Sequence, residues 1–95
     1  MTHPAYPRIG LFIDGQWEYD HPTGPQARNP SDEAVLAAVP KAGIADLDRA
    51  LAAAQKGFLV WRDTPPEARA ALMHKANSLV SERRESIAQI ITLEV

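Results

Sequence analysis

LFIDGQWEY, residues 11–19, sets Asp14-Gly15 between two apolar runs that carry aromatics on both sides. Asp-Gly suits a two-residue type I′ turn, because both central positions need positive φ and these two residue types tolerate it. The turn fixes the register. Ile13 faces Gln16, so Phe12 faces Trp17 and Gly10 faces Tyr19 on one surface, while Leu11 and Glu18 share the other. A lone two-stranded hairpin is marginal in water, so the aromatic surface needs a covering partner, from the same chain or another.

On the N-terminal side, residues 1–8 carry two prolines and few anchors and read as a flexible arm. On the C-terminal side, residues 20–30, DHPTGPQARNP, are dense in Pro, Gly and Asn and read as a loop with one short strand at most. AVLAAV, residues 34–39, is a short apolar run closed by Pro40 and reads as a strand.

From Ile44 the period changes. Ile44, Leu47, Leu51, Ala54, Phe58 and Trp61 are spaced 3, 4, 3, 4, 3 and lie along one helical stripe. Asp46, Asp48, Arg49, Gln55 and Lys56 take the other side. Gly43 serves as N-cap, Asp46 complements the helix dipole, and the spacing predicts a helix over about 44–61. TPPE, residues 64–67, predicts a second start: Thr64 as cap, Pro65 in the first helical position and Glu67 reaching back as a capping box. The second stripe runs through Leu72, Ala76 and Leu79, meets Arg83 where an apolar residue is due, and resumes at Ile87 and Ile90. That interruption predicts a kink or break within residues 81–86. The periodic residues then run to Leu93-Glu94-Val95 without a C-cap, which suggests the front piece of a longer polypeptide.

Composition narrows the classes. Ninety-five residues with a formal charge of −2 make one small domain at most, with acids and bases interleaved and no basic stripe for nucleic acid or anionic lipid. No apolar run reaches the roughly 18 residues of a membrane span, and the first residues lack a secretory signal, so the expected location is cytoplasmic. With no cysteine there is no disulfide, thiolate metal site or cysteine nucleophile in these residues.

The search for chemistry finds little. His3, His21 and His74 fall in an arm, a loop and a helix without metal-ligand spacing. Asp46 with Asp48, and Glu82 with Glu85, sit at helix ends or on polar faces, where dipole complementarity and solvation account for them. The glycines at 10, 15, 24, 43 and 57 form no GxGxxG or GxxxxGK[ST] phosphate cradle. Trp17 has a cross-strand partner in Phe12 and Trp61 closes a helical stripe, so both read as core or interface aromatics. No catalytic, cofactor-binding or metal residue is singled out.

Several strings taken in order do more: LFIDGQW, NPSDEAVLAAVPKAG, ADLDRALAAAQKGFLVWRDTPPEARAALM and LVSERRESIAQIITLE. Within them stand the Asp-Gly-x-Trp hairpin, Asn29-Pro30, Asp46-Leu47-Asp48 opening an Ala-rich helix, Phe58 with Trp61, Arg69, and Ile87-Ala88 leading to Leu93-Glu94. Over residues 11–94 this order resembles the N-terminal portion of the NAD(P)-dependent aldehyde dehydrogenase family, in the flavour of its semialdehyde-oxidising branch. Where that family often has Thr-Gly after Asn-Pro, this chain has Asp32-Glu33, an acidic side chain at a turn position that favours positive φ. The resemblance implies a scaffold role in the outer part of the cofactor-binding domain. It also implies that the cysteine nucleophile, glutamate base, oxyanion asparagine and nucleotide-binding strands lie in later sequence.

The expectation is therefore an α/β fragment: a hairpin and short strand within residues 9–42, then two or three amphipathic helices within 43–95, together a partial cofactor-binding domain. NAD or NADP is implied for the complete enzyme and none for this segment alone. The expected partners are the remainder of the dehydrogenase chain and, when complete, further copies in a homo-oligomer, with no nucleic acid and no membrane. A different class competes: a self-contained helical interaction module in which the 44–61 stripe pairs with 67–79 or with a partner's helix.

Overall fold

A computed structural model describes residues 6–95; the first five residues of the proposed arm, His3 among them, lie outside the described residues. Strands β1 (Leu11–Ile13) and β2 (Gln16–Glu18) form the opening antiparallel hairpin. Asp14 and Gly15 both take positive φ, 52° and 76°, as a type I′ turn requires. The pairs are Leu11 with Glu18, Phe12 with Trp17 and Ile13 with Gln16, the register read from the sequence. Phe12 and Trp17 stand with ring centroids 4.9 Å apart, and Tyr19 stacks on Trp17 at 6.1 Å. Gly10 lies under that ladder: a Cβ there would come within 2.8 Å of the Tyr19 ring and 2.7 Å of the Glu18 carbonyl. The last arm residues make contacts of their own, with Arg8 stacked over the Tyr19 ring and the Tyr6 hydroxyl donating to Glu94.

The Pro-rich stretch, read as a loop with one short strand, carries that strand. Thr23–Arg28 is a six-residue strand, β3, paired antiparallel with β4 (Val35–Pro40) in a second ribbon whose register shifts twice. Pro25 donates no hydrogen bond, but an edge position needs none from it, and the register shifts absorb the interruption. The connecting turn is held by its own polar side chains: Asn29 Oδ1 accepts from the Ser31 amide and Asp32 Oδ1 from the Ala34 amide, each at 2.9 Å. Glu33 sits in the left-handed region, φ 60°, at the position where the resembled family often has glycine. The turn keeps its shape with a strained residue in it. Arg28 donates to the Glu33 carbonyl at 3.0 Å and braces that turn.

Three helices follow: α1 (Ile44–Arg62), α2 (Pro66–Glu82) and α3 (Arg84–Glu94). The break falls at Arg83, φ −97° and ψ 15°, inside the predicted window and at the residue that interrupts the stripe. The second start differs in detail from the expected capping box. Pro65 occupies the cap, Pro66 is the first helical residue, and no side chain caps α2. Thr64 serves the preceding helix instead, its hydroxyl donating to the Val60 carbonyl at 2.7 Å. Pro66 at the first helical position removes one of the orphan donors of that turn, leaving the Glu67 and Ala68 amides without a side-chain cap.

The hairpin packs on α1, and α3 packs on the β3–β4 ribbon. Among the described residues full burial is confined to Leu36 and Ala37, at 0 and 2 % exposure; being consecutive in β4, they point to opposite faces, so that strand is enclosed from both sides. Most other described residues are exposed, and the rest are only partly buried. The accessible surface is 7624 Å², against about 5,400 Å² for a compact monomer of this mass. The radius of gyration is 16.8 Å, where about 12 Å is usual for this length.

Candidate functional site

The most structured group of ionisable side chains joins the hairpin to the first turns of α1. Glu18 reaches it from β2, His21 from the bend that follows, and Asp46 and Arg49 from α1 one helical turn apart. Arg49 grips Glu18 through both terminal nitrogens, Nη1 to Oε2 at 2.6 Å and Nη2 to Oε1 at 2.8 Å, the parallel geometry that suits a guanidinium and a carboxylate. Its Nη2 also donates to Asp46 Oδ1 at 2.8 Å. His21 lies between the two acids, Nε2 at 2.9 Å from Glu18 and Nδ1 at 3.5 Å from Asp46.

The charges respond to this packing. The Arg49 guanidinium, followed by His21, holds the Glu18 carboxyl down at about 2, against an ordinary 4.5. Asp46 is lowered first by the Gly43 amide, which donates to its Oδ2 at 2.8 Å, and then by Arg49. Arg49 is raised by the same two acids. Glu18, Asp46 and Arg49 are each held in the charged form.

Two chemical uses of the cluster can be weighed. Glu18, His21 and Asp46 offer ligand atoms within 4.8 Å of one another, the one such set among the described residues. A cation in their midst would meet the Arg49 guanidinium, already 2.6–2.8 Å from both carboxylates, and would have to displace it. The arrangement is a clasp that fastens the hairpin to α1. As for proton transfer, the hollows that border the cluster, lined by Trp17, Glu18 and His21 on one side and by Gly43 and Asp46 on the other, are open to solvent.

A dinucleotide fits no better. At the start of α1 the Asp46 carboxylate accepts from the Gly43 amide at 2.8 Å, where its charge opposes an incoming phosphate, and at α2 Pro66 removes the first helical amide. These two helix starts therefore do not suit a pyrophosphate.

Sequence patterning had set Asp46 and Arg49 on the solvent side of α1 and left His21 in a loop. The structure turns that side, with Ala50 and Ala53 half-buried or nearly so, toward the hairpin. The large apolar stripe faces away: Ile44, Leu47, Leu51 and Phe58 are 57–81 % exposed. The signal available in advance was the spacing itself. Glu18 and His21 stand three apart, as do Asp46 and Arg49, and Glu18 shares the non-aromatic hairpin face with Leu11. His74 lies on exposed α2, its carbonyl accepting from the Ser78 hydroxyl at 3.1 Å. The module reading offered residues 67–79 or a partner's helix as cover for the 44–61 stripe; residues 67–79 do not cover it.

Comparison with known proteins gives the remaining findings. The profile of the Aldehyde dehydrogenase family matches residues 17–95. Malonate-semialdehyde dehydrogenase 1 of Geobacillus thermodenitrificans (strain NG80-2) is 40 % identical over 84 residues, covering 87 % of this chain and 17 % of that protein. Malonate-semialdehyde dehydrogenase of Halalkalibacterium halodurans is 39 % identical over 88 residues, 92 % of this chain and 18 % of the relative. N-succinylglutamate 5-semialdehyde dehydrogenase of Burkholderia ambifaria (strain MC40-6) is 38 % identical over 84 residues, 88 % and 17 % respectively. The chain thus spans less than a fifth of the length of these relatives.

Proposed function

This chain belongs to the aldehyde dehydrogenase family as an N-terminal segment of it, and we propose that the complete polypeptide oxidises a semialdehyde to a carboxylate with NAD or NADP. The observation that carries the reading is the run of identities with three semialdehyde dehydrogenases across nearly the whole described chain. Their named substrates, malonate semialdehyde and an N-succinylglutamate semialdehyde, support a substrate that carries a carboxylate besides its aldehyde. Bound dinucleotide supplies the hydride acceptor. The thiolate that such a reaction needs must come from other sequence, because these residues contain no cysteine.

Within that enzyme this segment is scaffold. Residues 9–42 and 43–95 form the outer part of the cofactor-binding domain, with the helices over its sheet edge and the aromatic hairpin face against the subunit body. A homo-oligomer in the cytoplasm completes the reading, and no helix among the described residues is long and apolar enough to cross a membrane.

A chimera tests this. The 95 residues replace the matching segment of the G. thermodenitrificans enzyme, and aldehyde-dependent reduction of NAD and NADP is followed by absorbance. Turnover within tenfold of the parent is expected; a soluble chimera without turnover overturns the proposal. The isolated chain is expected to give no saturable dinucleotide binding in calorimetry.

A further inference from the structure

We propose that the Asp14-Gly15 turn is a site of spontaneous backbone modification, where the Asp14 carboxyl captures the Gly15 nitrogen and becomes isoaspartate, and that hairpin pairing restrains the step. Asp14 is the one aspartate followed by glycine. Asp20, Asp32, Asp46, Asp48 and Asp63 precede His21, Glu33, Leu47, Arg49 and Thr64, whose side chains shield the amide that would have to react. At the turn the approach is open: Asp14 and Gly15 are both exposed, and a Cβ on Gly15 would meet nothing within 4 Å. The ladder ends at the Ile13 and Gln16 pair, so the Gly15 amide lies outside it.

The chemistry balances without a co-reactant. The Gly15 nitrogen loses its proton and bonds to Asp14 Cγ, closing a succinimide ring, while one carboxyl oxygen leaves as water. Water then returns at either ring carbonyl. Breaking the new N–Cγ bond regenerates aspartate; breaking the bond from nitrogen to the backbone carbonyl carbon routes the chain through Cγ and frees that carbonyl as a carboxylate.

Ring closure needs the Asp14 Cβ nearly eclipsed with the Gly15 nitrogen about the Cα–C bond. A type I′ turn, with ψ of about +30° at its first central residue, holds the two almost opposite. The closed hairpin therefore restrains the reaction, and each opening permits it. Little burial opposes opening, since both strands are three residues long and Phe12 and Trp17 are 59 and 57 % exposed. Closure rests on the aromatic ladder and on the grip of Arg49 on Glu18. Isoaspartate adds one methylene to the backbone of a two-residue turn, so the register from Ile13–Gln16 to Leu11–Glu18 is lost and the hairpin leaves α1.

The test ages the 95-residue chain at neutral pH in water enriched in heavy oxygen, with and without urea. Every ring opening writes one heavy oxygen into the peptide, read by mass spectrometry, and electron-transfer fragmentation separates isoaspartate from aspartate. Label is expected to enter at Asp14 at least tenfold faster than at any other aspartate, and at least threefold faster in urea than without it. Gly10→Ala, which presses a methyl into the Tyr19 ring, should bring the rate without urea toward the rate in urea. Uniform labelling of the aspartates overturns the site, and equal Asp14 rates with and without urea overturn the restraint. Amide exchange at Trp17 that is unchanged once isoaspartate has formed overturns the release of the hairpin.

Discussion

The two halves of this molecule are joined by different physics. The β1–β2 hairpin meets α1 through the Glu18, His21, Asp46 and Arg49 clasp and through alanines, with its aromatics turned outward. The β3–β4 ribbon meets α3 and encloses the one fully buried large side chain, Leu36. One half is therefore fastened by charge at a partly wet boundary, where ion pairs are weak and screened. The other is held by apolar burial, which salt and acid leave largely alone. The lesson is that the first half is oriented before it is stabilised: the clasp sets the direction of the α1 stripe, and the cover is left to make it firm.

The sharpest way to break this comparison is to empty the ribbon. Leu36→Ala should cost about 2–5 kcal/mol and melt the β3–β4 half in thermal unfolding, since a fully enclosed leucine leaves a cavity. Retention of the ribbon would mean that its burial is not what holds it. Gly10→Ala strikes the hairpin instead, pressing a methyl into the Tyr19 ring and the Glu18 carbonyl for a loss of about 1–3 kcal/mol, read in the Trp17 fluorescence.

Acid should separate the halves. Glu18 is lowered in the folded state, so its contribution is present above the unfolded value of 4.5 and is lost as pH falls toward about 2. Asp46 is lowered as well and acts in the same direction. Amide exchange across pH 5 to 2 should therefore show the hairpin loosening from α1 while the Leu36 region stays protected, and high salt should bring the loosening to higher pH. Simultaneous loss of both halves would erase the distinction.

Smaller effects sharpen it further. Glu33→Gly should stabilise the ribbon by about 0.5 kcal/mol, the relief of a left-handed backbone being partly offset by the greater freedom of glycine in the unfolded chain. Leu51→Ala should change the stability of the isolated chain by less than about 0.5 kcal/mol, despite removing a large apolar side chain, because that side chain is already 61 % exposed.

Much of this architecture was legible because its determinants are local. Asp14-Gly15 dictated a turn, and the turn dictated the pairs from Leu11 to Glu18. The six-residue stripe marked α1 to within a residue, and Arg83 announced the break between α2 and α3. The failures were of another kind. Pro22 and Pro25 hid the bounds of the one short strand expected there, because the partner strand β4 that pairs with it lies further along the chain. Thr64 looked like the cap of α2 and closes α1 instead, since both roles have the same local signature.

The clasp was legible only in fragments. Spacings of three put Glu18 beside His21 and Asp46 beside Arg49, but nothing in either segment says that the two pairs meet. Sequence by itself determined the hairpin, the helices, their breaks and the family to which the order of motifs belongs, because backbone propensity and periodicity act over a few residues. Tertiary structure alone decided which side of α1 is used inside the segment and which is left bare: amphipathicity identifies a face that avoids water, but only the positions of distant elements decide what covers it.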